Sequence, residues 1–216
     1  MDATRIIAVR HGETAWNADT RIQGQLDIGL NDKGRWQAER VGLALAEEDL
    51  QHIYASDLQR AHSTAQAIAA RAQHPSARNV HLHPGLRERK FGRFEGQTYA
   101  DIEARWPEDA RRWRPRDPDF APGDGETPHQ VMARVRSAVH DIAARHIGEH
   151  IVLVAHGGVL DMLYRLATGQ TVQAPRTWEL GNAAINRLLW CDGELALVGW
   201  GDVRHLDQAG LDEGSA

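Results

Sequence analysis

Two histidines in this chain stand at the ends of short apolar runs. Arg10-His11-Gly12-Glu13 closes the run Ile6-Ile7-Ala8-Val9, and His156-Gly157-Gly158 closes Ile151-Val152-Leu153-Val154-Ala155. A further run, Ile53-Tyr54-Ala55, breaks at Ser56-Asp57 and leads into Leu58-Gln59-Arg60. Short apolar runs bounded by polar turns read as buried parallel strands. In an open parallel sheet, ligands bind beyond the carboxyl ends of the strands. His11, His156, Arg10 and Arg60 would therefore meet in one pocket. A guanidinium presents a rigid fork that matches phosphate, and Gly12 and Gly157 let a ligand approach the backbone. Helices starting just after these turns would add dipoles favourable to an anion. The pocket is suited to a phosphoryl group.

A neutral imidazole nitrogen attacks phosphorus without prior deprotonation, so a histidine can serve as nucleophile. The arginines and the second histidine would meet the charge on the equatorial oxygens. The leaving alkoxide also needs a proton. Glu88, in Leu86-Arg87-Glu88-Arg89 after a strand near 80–82, is the leading acid, with Glu13 and Glu95 as its alternatives. No cysteine or carboxylate set accompanies the two histidines, so no metal and no cofactor are expected. The other histidines, His52 and His146 among them, read as surface or satisfied core residues.

These residues need elements to hold them. Each run is followed by a polar turn and a helical pattern, which indicates an α/β fold with a mostly parallel sheet. Ser56 or Asp57 is expected to cap the helix that runs to about Ala70. A helix is expected from Asn31 or Asp32 with Val41 and Leu45 inward. A longer one carries Val131, Val135, Val139 and Ile142 on one face, with Thr127 as cap and Pro128 first. Cys191-Asp192-Gly193-Glu194 marks a hairpin near the end. The stretch 106–125 holds Pro107, Pro115, Pro118 and Pro122 among arginines and tryptophans, and reads as an irregular flap. Trp106 and Trp113 are expected to pack that flap onto the domain. Arg111, Arg112, Arg114 and Arg116 read equally as a solvated face and as contacts for an anionic substrate.

The chain has 216 residues, 42% hydrophobic and 25% charged, enough for one domain with its own core. Residues 1–206 are expected to form that single domain, with the flap inserted around 100–126 and a frayed tail over 207–216. A lone cysteine, Cys191, excludes an internal disulfide framework. The net charge of −5 and isoelectric point of about 6.2 give no reason to expect nucleic acid as partner. No apolar run is long enough for a bilayer, and Met1-Asp2-Ala3-Thr4-Arg5 carries no signal-peptide pattern. A cytoplasmic protein with no membrane partner is the expectation.

Arg10-His11-Gly12-Glu13-Thr14 resembles the signature of the histidine phosphatase superfamily, the phosphoglycerate mutase-like proteins. The resemblance continues through Ser56-Asp57-Leu58-Gln59-Arg60-Ala61, Leu86-Arg87-Glu88, Gly92-Arg93-Phe94-Glu95-Gly96, Gly125-Glu126-Thr127 and Ala155-His156-Gly157-Gly158. Blocks in this order cover most of the chain. The likeness implies a three-layer α/β/α sandwich and a covalent phosphohistidine on His11. It places Arg10, Arg60 and His156 around the phosphate and makes Glu88 the proton donor. Asn17, and the loop around Arg21, Gln23 and Gly24, would lie near the phosphate and substrate. A small phosphate ester is the implied substrate, and a homodimer is implied by likeness alone. Gln23-Gly24-Gln25-Leu26-Asp27 and Leu86-Arg87-Glu88-Arg89-Lys90-Phe91-Gly92 look like the phosphatase branch, with a cofactor-dependent phosphoglycerate mutase as the alternative.

Overall fold

A computed structural model describes residues 3–207. Its centre is a six-stranded sheet in the order β3-β2-β4-β1-β5-β6. The strands are β1 (Thr4–Arg10), β2 (His52–Ala55), β3 (Val80–Leu82), β4 (His150–Ala155), β5 (Ile185–Cys191) and β6 (Glu194–Asp202). β1, β2, β3 and β4 pair in parallel, while β5 and β6 add an antiparallel edge. The mostly parallel sheet expected from the sequence is therefore present.

Every residue of β4 is buried, because it lies at the middle of the sheet with helices over both faces. Alternation along the strands sorts the two cores. Ile6, Ala8, Leu153 and Ala155 face one layer, packed with Val131, Val135 and Val139 of α6 (Pro128–Ala143) and Leu160 and Leu163 of α7 (Gly157–Thr168). Ile7, Val9, Val152 and Val154 face the other, packed with Val41 of α2 (Asp32–Ala44) and Ala61, Ala65 and Ile68 of α3 (Gln59–Ala69). The result is the three-layer sandwich.

Local chemistry fixes several boundaries as read. Asn31 caps α2 and Thr127 caps α6, the latter in a capping box with Gln130 and with Pro128 in the first turn. Asp192 and Gly193 both take positive φ, 51° and 89°, as the tight turn between β5 and β6 requires. The cap of α3 is different. Neither Ser56 nor Asp57 supplies it; the N-cap position is Leu58, and Asp27 from a separate loop accepts the Gln59 N–H at 2.7 Å. Asp57 is committed instead to a bidentate ion pair with Arg87, at 2.7 and 2.6 Å.

The flap is less irregular than its prolines suggest. Its first half is helical: α4 (Tyr99–Arg105), capped by Thr98, and α5 (Pro107–Trp113), with Pro107 in its first turn where a missing N–H costs nothing. Phe94, Ile102, Ala110 and Phe120 form a small core of their own, joined by Trp106 and Trp113. The short α1 (Ala15–Ala18) faces this region. Residues 208–216 of the expected frayed tail lie outside the described residues. Among the described residues, no helix is long and apolar enough to cross a membrane.

Candidate active site

β1 and β4 run side by side and in register from Arg5 opposite His150 to Arg10 opposite Ala155, so their carboxyl ends deliver His11 and His156 together. The His11 N–H continues the ladder to the Ala155 carbonyl at 3.0 Å, and the two imidazole centroids lie 5.1 Å apart. The turn after His11 is clamped from the α2–α3 layer. Gly12 donates its N–H to the Thr64 hydroxyl at 3.1 Å, and a Cβ on Gly12 would sit 2.3 Å from the Gly34 carbonyl oxygen. Only glycine permits that approach.

His11 is buried, and its Nδ1 lies 2.7 Å from the Gly12 carbonyl oxygen. A carbonyl can only accept, so Nδ1 carries the hydrogen and Nε2 keeps its lone pair. Burial, and then the charges of Arg60 and Arg10, hold the His11 pKa well below the ordinary 6.5. Burial, then Arg60, His11 and Arg10, does the same for His156. Both rings are neutral at neutral pH.

The positive groups stand in the same pocket. Arg60 is 1% exposed, so it is not a helix-surface arginine. Its terminal nitrogens donate to the carbonyls of Leu26 and Gly24, at 2.9 and 2.7 Å. Arg10 donates one terminal nitrogen to the Leu180 carbonyl. Arg10 Nε, Arg60 Nε and both ring nitrogens of His156 are buried without a hydrogen-bond partner among the described residues. Buried polar nitrogens are ordinarily satisfied, so several orphans around one space point to a ligand that accepts from them.

Glu88 lies between the histidine turn and the flap. Its carboxylate accepts the Gly158 N–H at 3.0 Å and the Arg89 N–H at 2.7 Å. A Cβ on Gly158 would fall 2.2 Å from Glu88 Oε1, so glycine there makes room for the carboxylate. The alternative acids are engaged elsewhere. Glu13 accepts from Asn31 and Lys33, and Glu95 accepts the Gln25 and Phe91 N–H groups.

A cavity of about 250 Å³ is lined by Arg10, His11, Asn17, Gln23, Gly24, Arg60 and Glu88, whereas the fully buried His156 stands against His11 outside that lining. Asn17 closes the capping box of α1 with Thr14, and Gln23 is buried with Oε1 unpartnered. Gly157 flanks the pocket: a Cβ there would lie 3.6 Å from Arg10 Nε and 3.9 Å from Glu88 Oε2. Arg21, expected near the substrate, lines it too, while Trp16, Ile22, Phe91 and Tyr99 went unread in the sequence; Tyr99 stacks on Trp113 at 4.9 Å between centroids. Trp113 does pack the flap, as expected, and it also forms part of the cavity wall. Asn182, likewise unread, donates to the His11 carbonyl at 2.9 Å. The flap arginines divide. All four are ion-paired, Arg111 with Glu108, Arg112 with Asp117, Arg114 with Glu103 and Arg116 with Asp161, but only Arg114 and Arg116 line a second cavity that shares Arg10, Tyr99 and Trp113 with the first.

Comparison with known proteins places the chain among relatives. The family model of the histidine phosphatase superfamily (branch 1) matches residues 6–203. Phosphoglycerate mutase-like protein 4 of Arabidopsis thaliana is 39% identical over 98% of this chain and 90% of its own length. The metal-independent phosphoserine phosphatase of the same plant is 36% identical over 97% of this chain and 86% of its own. Among solved structures, Bacillus stearothermophilus YhfR superposes with a TM-score of 0.87 at 30% identity, covering 95% of this chain and 100% of that one.

Proposed function

Because the chain belongs to the histidine phosphatase superfamily, we propose that it hydrolyses phosphomonoesters of small metabolites through a phosphohistidine on His11. The observation that carries this reading is the set of unpartnered buried nitrogens on Arg10, Arg60 and His156 around a neutral His11. A phosphoryl group supplies the acceptors they lack, and His11 Nε2 supplies the electron pair. In the first step that pair forms the P–N bond while the ester P–O bond breaks, and Glu88 gives its proton to the departing oxygen. In the second, water attacks phosphorus, Glu88 takes the water proton, and the P–N bond breaks to release phosphate. The positive charge that faces the anionic transferring group comes from arginine, so this reading requires no metal. The relationship to a metal-independent phosphoserine phosphatase supports it.

Turnover of p-nitrophenyl phosphate, before and after exhaustive chelation, is the direct test. Activity should survive chelation, and an alkaline denaturing quench should trap label that is base-stable and acid-labile on His11. His11→Ala with parental turnover would refute the assignment. Incubating 3-phosphoglycerate with and without a bisphosphorylated primer separates hydrolysis from a mutase reaction: free phosphate without primer supports the phosphatase.

A further inference from the structure

We propose that His52, His146 and Glu149 form a binding site for a divalent d-block cation, zinc by donor type, at the end of the sheet opposite the phosphate pocket. His52 opens β2 and Glu149 immediately precedes β4, so both lie at the amino ends of strands whose carboxyl ends build the pocket. His146 sits in the turn between α6 and β4, where the Glu149 N–H closes onto the His146 carbonyl at 2.9 Å. One donor atom from each side chain lies within 4.8 Å of the others.

The geometry is close to a coordination shell. A tetrahedral zinc with bonds of about 2.0–2.1 Å spaces its ligand atoms about 3.3 Å apart. His52 Nε2 is already 3.5 Å from Glu149 Oε2. His146 Nδ1 is 2.7 Å from the same oxygen and needs only to open slightly, which the partly exposed Glu149 side chain allows. The other nitrogen of His146, Nε2, lies 2.8 Å from the Tyr54 hydroxyl. Metal-bound histidines use their second nitrogen in this way, because the outer partner fixes the ring and its tautomer. Two imidazoles and one carboxylate, with a position left for water, are a donor set that zinc accepts. His81 stands beside them, its centroid 5.9 Å from that of His52. Bound metal would tie the start of β2 to the lead-in of β4, neighbouring strands that are far apart in sequence. It would not touch the phosphate chemistry.

The test uses the full chain without a purification tag, stripped by chelation and titrated with Zn²⁺ and with Co²⁺ as a visible reporter. Saturable binding should be accompanied by a rise in melting temperature. His52→Ala and Glu149→Gln should each weaken Zn²⁺ binding by at least about 100-fold, and Tyr54→Phe by about tenfold, the range for outer-shell partners. Turnover of p-nitrophenyl phosphate should be the same with and without Zn²⁺ in all of them. Absence of saturable binding to the parent chain overturns the proposal. So does a variant that melts earlier without metal yet gains the parental increment when Zn²⁺ is added, since other histidines would then hold the ion.

Discussion

In the proposed mechanism His11 and Glu88 divide the chemistry, and the identity of the departing group separates their roles. An alkyl phosphate leaves as a strongly basic alkoxide, whereas p-nitrophenolate leaves almost unaided. Glu88→Gln keeps the size of the side chain and one acceptor oxygen, for either the Arg89 or the Gly158 N–H, but has no acidic proton to give. It should slow hydrolysis of an alkyl phosphate about 10²-fold more than that of p-nitrophenyl phosphate, as removing a general acid does. Equal losses on both would make Glu88 a positioning residue. Arg60 is tested by shape. Lysine keeps the charge but not the fork, so Arg60→Lys should lose the Gly24 and Leu26 contacts and cut turnover by about 10²-fold. Near-parental kinetics would show that charge alone suffices. His11 and Arg60 were legible because they stand at or just beyond the ends of apolar runs, and Glu88 from its match to the family block. Trp16, Tyr99 and Asn182 were not, since nothing in their local pattern says which cavity a distant loop will wall.

Elements show the same division between local and distant causes. The helices α2 and α6 were readable down to their caps, because Asn31 and Thr127 act on N–H groups a few residues away. The cap of α3 was not readable, because Asp27 reaches Gln59 from another loop. That contact gives the loop two fastenings to α3: Asp27 onto its first turn, and Arg60 back onto the Leu26 and Gly24 carbonyls. Asp27→Ala should therefore cost about 1 kcal/mol of stability, the usual value of a lost cap. It should also raise KM more than it lowers kcat, because the loop that carries Gln23 and Gly24 loosens while His11 stays in place. Chemical denaturation and steady-state kinetics on one variant check both halves; an unchanged KM would mean that Arg60 alone holds the loop. The helical half of the flap was hidden for a related reason. Pro107 reads as a breaker in isolation and works as a helix start only because the small core around Phe94 and Ile102 forms beneath it.

For the whole molecule, the buried rings set the response to acid. His11 and His156 titrate near 6.5 when unfolded and well below that when folded. As pH falls through 6.5 the unfolded chain takes up protons that the folded chain refuses, so stability drops from that point downward. Each fully buried histidine contributes a slope of about 1.4 kcal/mol per pH unit until its folded pKa is reached. His52, His150 and His205 shift in the same direction. Carboxylates such as Asp57, and Asp202 at about 2, lose their pairing only in the carboxylate range below. The urea midpoint should fall between pH 7 and pH 5, and a flat profile there would contradict neutral burial. The unpartnered nitrogens of Arg10, Arg60 and His156 also govern how a reaction run ends. The last species to leave the pocket is orthophosphate, which offers those donors the acceptors that the alcohol product lacks. Release therefore competes with re-entry, and turnover becomes self-limiting as orthophosphate accumulates. Progress curves should bend before the ester is consumed, and orthophosphate added at the outset should act as a competitive brake, raising apparent KM and leaving kcat alone.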